Sequence, residues 1–174
     1  MAKNASRPSQ RDGRPGGRKS RSAGTSAARL AAVQGLYEIE IAGASFDSVL
    51  MDHMHDRWSG LQGHTSGDEL DRKKFADLVR GVTVSKAQYD RMIADTLEKG
   101  RKTEGLDVLL LSILRAAVHE LFAEPKVPAR VVIDEYMTIA HAFYAENEPA
   151  LVNGVLNRIA HVLRAGELGE STGE

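Results

Sequence analysis

Apolar residues recur at three- and four-residue steps along most of this chain, and the stripe is clearest near its C-terminal end. Over residues 151–163, Leu151, Val152, Val155, Leu156, Ile159, Val162 and Leu163 keep that rhythm, which predicts a helix with one buried face. Gly154 sits inside this stretch, at a cost of about 1 kcal/mol relative to Ala, and so predicts close approach by another backbone or a ligand. Upstream, Thr25 or Ser26 is placed to cap a first helix that runs to about residue 42 and stops at Gly43. Ser45 caps a second through about residue 58, and the polar, glycine-bearing stretch 60–67 reads as a loop. A third helix starts near Asp68 and carries Leu70, Phe75, Leu78, Val79 and Val82. Gly81 predicts a bend before a fourth segment over about 84–98, and 100–105 reads as a basic hinge. Residues 107–123 form the most apolar segment and therefore the central helix, which ends at Pro125. Pro128 opens a sixth helix to about residue 145, and Pro149 starts the last. No segment alternates with period two, so the fold class is all-α, a compact bundle of about seven helices.

Charge adds a feature that the apolar pattern does not contain. Residues 1–24 hold seven basic side chains (Lys3, Arg7, Arg11, Arg14, Arg18, Lys19 and Arg21) against Asp12, a net of +6. The rest has 16 basic and 23 acidic residues, a net of −7. The division is therefore a basic arm over 1–24, disordered when free because it is rich in Gly, Ser and Pro, a helical domain over 25–166, and a flexible tail over 167–174. A basic arm on an acidic body suits a polyanionic partner; a solubilising tail or an Arg/Ser-rich transit segment is the plainer alternative. Without cysteine the chain has no disulfide framework and no thiolate metal site. It lacks an apolar run of membrane-spanning length and an N-terminal apolar signal region, which predicts a soluble, cytoplasmic protein with no membrane partner.

Candidate catalytic chemistry is sparse. GRPGGRKS at 13–20 approaches a phosphate-binding loop, but Arg18 stands where glycine must precede the lysine and no strand comes before it. His53 and His55 are two apart and point to different sides of a helix. His119-Glu120 lacks a second histidine four residues after the first, and Asp134-Glu135 reads as an exposed acidic face. These absences shift the reading from an enzyme toward a binding module.

Helix one offers the best surface. Leu30, Val33, Leu36 and Ile39 define a broad apolar arc with Tyr37 inside it, Gln34 at its margin, and Arg29 one turn before Val33. A guanidinium at the mouth of such a face suits phosphate or a base edge, and tyrosine with glutamine suits stacking and hydrogen bonding. The bland alternative is a snorkelling Arg29, a core Tyr37 and a surface Gln34.

Five ordered blocks carry a family resemblance: AAVQGLYEIE at 31–40, FADLVRGV at 75–82, SILRAAVHEL at 112–121, VPARVVIDEYMTIAHAFYAEN at 127–147, and LVNGVLNRIA at 151–160. Together they resemble the NusB family of bacterial transcription antitermination factors, over about residues 26–165. The resemblance implies an all-helical protein that binds boxA-type single-stranded RNA of ribosomal RNA transcripts. It implies as partners NusE, a small-subunit ribosomal protein, and the RNA polymerase antitermination complex with other Nus factors. It implies no catalysis and no cofactor, and it leaves a homodimer open. Matched position by position, the implied RNA-binding residues are Arg29, Gln34, Tyr37, Arg115 and Leu151, with Asn153 nearby. Two departures stand out. Thr25, Ser26, Ala27 and Ala28 directly precede Arg29 where relatives cluster arginines, so Arg18, Lys19 and Arg21 are expected to supply phosphate contacts from the arm. Leu151 stands where relatives often have Phe, which replaces stacking by apolar packing. The alternatives are a non-catalytic helical protein-interaction module, or an RNA-binding module related to that of ribosomal RNA cytosine methyltransferases. The latter enzymes need a cofactor domain and a catalytic cysteine that this chain lacks.

Overall fold

The computed structural model describes residues 16–55, 71–97, 103–145 and 147–168. Among the described residues it is all-α: α1 Gly16–Ala42, α2 Phe46–His55, α3 Arg72–Thr96, a 3-10 turn at Thr103–Gly105, α4 Val108–Ala123, α5 Ala129–Phe143, α6 Asn147–Leu163 and the short α7 Ala165–Leu168. The central position expected of α4 is observed. It packs against α1, α3, α5 and α6, and every residue from Leu110 to Leu121 is buried. Its start is fixed by Asp107, whose carboxylate accepts the backbone N–H groups of Leu109 and Leu110. Its last carbonyls would otherwise be orphaned in the core. Arg164, itself buried, reaches back from the end of α6 and donates to the carbonyls of Leu121, Glu124, Glu120 and Val127.

Several boundaries differ from the sequence reading. α1 begins at Gly16, ahead of the Thr25 or Ser26 start expected, so its first turns fall within the stretch read as the basic arm; residues 1–15 lie outside the described ones. Once the turn at 25–28 is nucleated, each residue added upstream gains a backbone hydrogen bond, and Arg18, Lys19, Arg21 and Ala23 are good helix formers among the less favourable Gly24, Gly17 and Gly16. The Gly24 carbonyl also accepts the Asp71 N–H at 3.2 Å, which ties this end of α1 to the start of α3. The third and fourth expected helices are one, α3, kinked at Ser85 rather than at Gly81. The hinge at 100–105 includes the 3-10 turn, and the expected loop at 60–67 and the end of α2 lie outside the described residues. At the other end α7 extends the fold to Leu168, and the Glu167 carboxylate accepts the Ala129 N–H at the start of α5.

Two glycines reverse the expectations placed on them. A Cβ on Gly81 would lie 2.0 Å from the His119 ring, so this glycine exists for close packing of α3 on α4. A Cβ on Gly154 would meet nothing within 4 Å. The close approach expected at Gly154 is therefore not there.

Candidate nucleic-acid interface

Because α4 is buried along its length, its ionisable core positions Arg115, His119 and Glu120 must find partners inside the protein. They organise the site from beneath. Glu120 is fully buried and accepts from Arg29 Nη2 at 2.6 Å, Arg29 Nε at 3.0 Å and the Tyr136 hydroxyl at 3.1 Å. Lys74 Nζ lies 2.8 Å from the same carboxylate and 2.7 Å from Glu124, while Arg29 Nη1 lies 3.2 Å from Glu135. Burial alone would raise the Glu120 pKa; the hydrogen bonds and charges of Arg29 and Lys74 outweigh it and hold the carboxyl below its ordinary value. Burial beside this carboxylate pushes the Tyr136 phenol well up. Arg29, expected at the mouth of an open face, is thus 3% exposed, with all three guanidinium nitrogens against carboxylates.

The open surface starts two turns further along α1. Gln34 is half-buried and Tyr37, at 39% exposure, presents its ring to solvent. One turn beyond, the Glu40 carboxylate receives Lys86 Nζ at 2.5 Å from α3 and faces Arg115 Nη1 at 3.5 Å from α4. Arg115 is otherwise held by Asp90, with Nε at 2.7 Å and Nη2 at 3.0 Å in a bidentate pair. Glu40, Lys86, Asp90 and Arg115 therefore meet where α1, α3 and α4 come together, and Tyr37 and Gln34 precede Glu40 on α1 by one and two turns. The packing of α1 there needs Gly35, since a Cβ would lie 2.7 Å from Val49 of α2.

The other expected residues lie elsewhere. Leu151 is half-buried in the second turn of α6 and packs on the core. Asn153 is exposed, accepts from Asn157 Nδ2 at 2.8 Å, and lines a groove of about 310 Å³ between α5 and α6 with Arg130, Ile133 and Asp134. Arg18, Lys19 and Arg21 lie on the helical backbone of α1 upstream of this region. A separate cleft of about 630 Å³ opens between α3 and α4 beside Gly81 and His119, with Lys74 and Glu124 in its wall. The sequence reading missed Glu40, Lys86 and Asp90. Their spacing was available: Glu40 is three residues after Tyr37, and Lys86 and Asp90 are an i,i+4 pair.

Among the described residues no group of three or more His, Asp or Glu is arranged to hold a metal ion, and no helix is long and apolar enough to cross a membrane. What the bundle offers is a small mixed-charge surface around an exposed aromatic ring, the build of an all-helical binding protein. The same fold occurs in NusB from T. maritima, which superposes with a TM-score of 0.63 at 27% identity, covering 78% of this chain and 89% of that one. The NusB family model matches residues 26–161. Transcription antitermination protein NusB of Nitrobacter hamburgensis is 42% identical over 144 residues, 81% of this chain and 88% of that protein. Its counterpart in a Bradyrhizobium species is 36% identical over 177 residues, 97% of this chain and 99% of that protein. The chain belongs to the NusB family of transcription antitermination proteins, which are not enzymes.

Proposed function

We propose that this transcription antitermination factor acts in the cytoplasm by binding boxA-type single-stranded RNA of ribosomal RNA transcripts together with NusE, as part of an RNA polymerase complex with other Nus factors. The observation that carries the reading is Tyr37, 39% exposed on α1, three residues after the half-buried Gln34 and three before Glu40, which faces Arg115. A ring of this kind stacks an unpaired base, an amide reads a base edge, and neighbouring cations attract the phosphate that follows. Leu151 adds apolar packing from α6, and Arg18, Lys19 and Arg21 supply sequence-independent attraction from the start of α1.

Arg29 and Arg115 take a different part in this reading. Both are committed to carboxylates in the free chain, Arg29 tying α1 to α4 and Arg115 tying α4 to α3, and RNA reaches them only by exchanging phosphate for a carboxylate. Asn153, on the α5–α6 groove, is assigned a peripheral contact.

The test is binding to a boxA-like strand and a scrambled control across a salt series, with and without NusE. The reading expects preference for the boxA-like strand, strengthened by NusE. Equal, salt-sensitive binding to both strands that NusE leaves unchanged would reduce the basic residues to a generic polyanion tether and favour a protein-interaction module.

A further inference from the structure

The Glu40 carboxylate occupies a place built for an oxyanion. Two cations from different helices converge on it: Lys86 Nζ at 2.5 Å on one oxygen and Arg115 Nη1 at 3.5 Å on the other. They are not equivalent. Arg115 is 7% exposed and anchored through its other nitrogens by Asp90, so it cannot leave, and Nη1 is its loosely held donor. The Lys86 side chain is 42% exposed and, among the described residues, pairs with the Glu40 carboxylate. Glu40 is an exposed residue whose side chain, held in the cradle, is 26% exposed, so it can withdraw to water without unfolding anything. Glu40 follows Tyr37 by one turn of α1, a backbone rise of about 5 Å, so the cradle and the ring stand on successive turns of one helix.

We infer that an RNA phosphate displaces the Glu40 carboxylate from this cradle, with Lys86 as a phosphate contact and Glu40 as the internal anion that it must replace. The inference rests on the RNA-binding reading above and adds two residues to it. A single-stranded phosphate that replaces one carboxylate gains the same two donors, and Glu40 carries its charge into solvent. Binding is therefore weaker than the cations alone would give, and strands that cannot seat a base on Tyr37 while reaching the cradle are disfavoured. Glu40 thus acts as a specificity element.

The experiment measures affinity for a boxA-type single-stranded RNA over a salt series for the wild-type chain and for Lys86→Gln, Lys86→Arg, Glu40→Gln, Tyr37→Ala and Lys73→Gln. Lys73 is the control. It is an exposed α3 lysine paired with Asp77, about 20 Å along the helix from Lys86 and hence beyond a Debye length at 0.1 M salt. Lys86→Gln is expected to lower affinity about three- to tenfold and to reduce the slope of log K against log salt by about 0.7, one phosphate contact on a single strand. Lys86→Arg restores the slope, Lys73→Gln leaves it unchanged, and Glu40→Gln raises affinity about threefold or more as a competing anion is removed. A slope that is the same in Lys86→Gln as in wild type overturns the inference, as does a Glu40→Gln variant that binds no tighter while remaining folded. If wild type binds with sequence preference and Tyr37→Ala removes it, such a failure belongs to the cradle alone. If wild type shows no preference, the RNA-binding reading and the cradle fall together.

Discussion

The Arg29 guanidinium meets the Glu120 carboxylate at 2.6 Å, with the two side chains 4% and 0% exposed. This pair joins the first helix to the central one, and Lys74 and Tyr136 complete the carboxylate's coordination from α3 and α5. Four helices thus converge on one buried charge. The expected consequence is a large penalty for removing that charge alone. Glu120→Gln leaves Arg29 and Lys74 buried with only the partly exposed Glu135 and Glu124 to balance them, and is expected to cost about 3–5 kcal/mol in urea unfolding. A loss under about 1 kcal/mol would mean that the network relaxes freely and does not fix α1.

The two glycines make a paired prediction of opposite sign. Gly154→Ala adds a methyl in open space within α6 and is expected to stabilise by about 0.5–1 kcal/mol. Gly81→Ala drives a methyl into the His119 ring and is expected to destabilise by about 1–3 kcal/mol despite its better helix propensity. Thermal unfolding of the two variants checks both, and the same sign for the two would contradict the packing described.

His119 predicts an acid-side loss of stability. Burial lowers its pKa below the ordinary 6.5, outweighing the attraction of Glu124, while Lys74 lowers it further. Its Nδ1 also faces the Tyr89 hydroxyl at 2.8 Å. The unfolded chain therefore takes up a proton at a higher pH than the folded one. Stability from this group is complete above pH 6.5 and is lost as pH falls through the depressed folded value. His119→Asn, less stable at neutral pH because of the cavity it leaves, is expected to show a flatter change in urea midpoint between pH 7 and 5.5 than wild type. Parallel curves would assign the acid sensitivity elsewhere.

How much of this was legible beforehand follows from what periodicity records. The order of helices, the centrality of α4 and the stop at Gly43 came from apolar spacing and turn chemistry, which are local properties. Arg29 was misjudged in its surroundings because an i,i+4 stripe gives the direction of a side chain and not what lies opposite; Glu120 is 91 residues away in sequence. Gly81 and Gly154 look alike in sequence, and only the His119 ring distinguishes them. The RNA-binding roles proposed for Gln34 and Tyr37 came from the five family blocks, since spacing alone left a core Tyr37 and a surface Gln34 equally open. Lys86 and Asp90 escaped notice because a charged i,i+4 pair on a polar helix face is ordinary until Arg115 and Glu40 are brought against it.

The basic residues at the start of α1 carry their own prediction. Replacing Arg18, Lys19 and Arg21 together by Gln retains helix-forming side chains and removes three positive charges. The slope of log K against log salt for single-stranded RNA is expected to fall by about 2, with sequence preference retained. An unchanged slope would exclude these residues from phosphate contact.

The central claim is that the Tyr37 ring seats an RNA base. It is tested most directly by fluorescence anisotropy of labelled boxA-like and scrambled strands with wild-type and Tyr37→Ala protein, the fold being checked by circular dichroism. Tyr37 is 39% exposed, so the fold should survive the change. Affinity for the boxA-like strand is expected to fall by about tenfold or more, in line with about 1–3 kcal/mol for one stacked base, and affinity for the scrambled strand to change little. Equal losses on both strands, or no loss on either, would contradict the account.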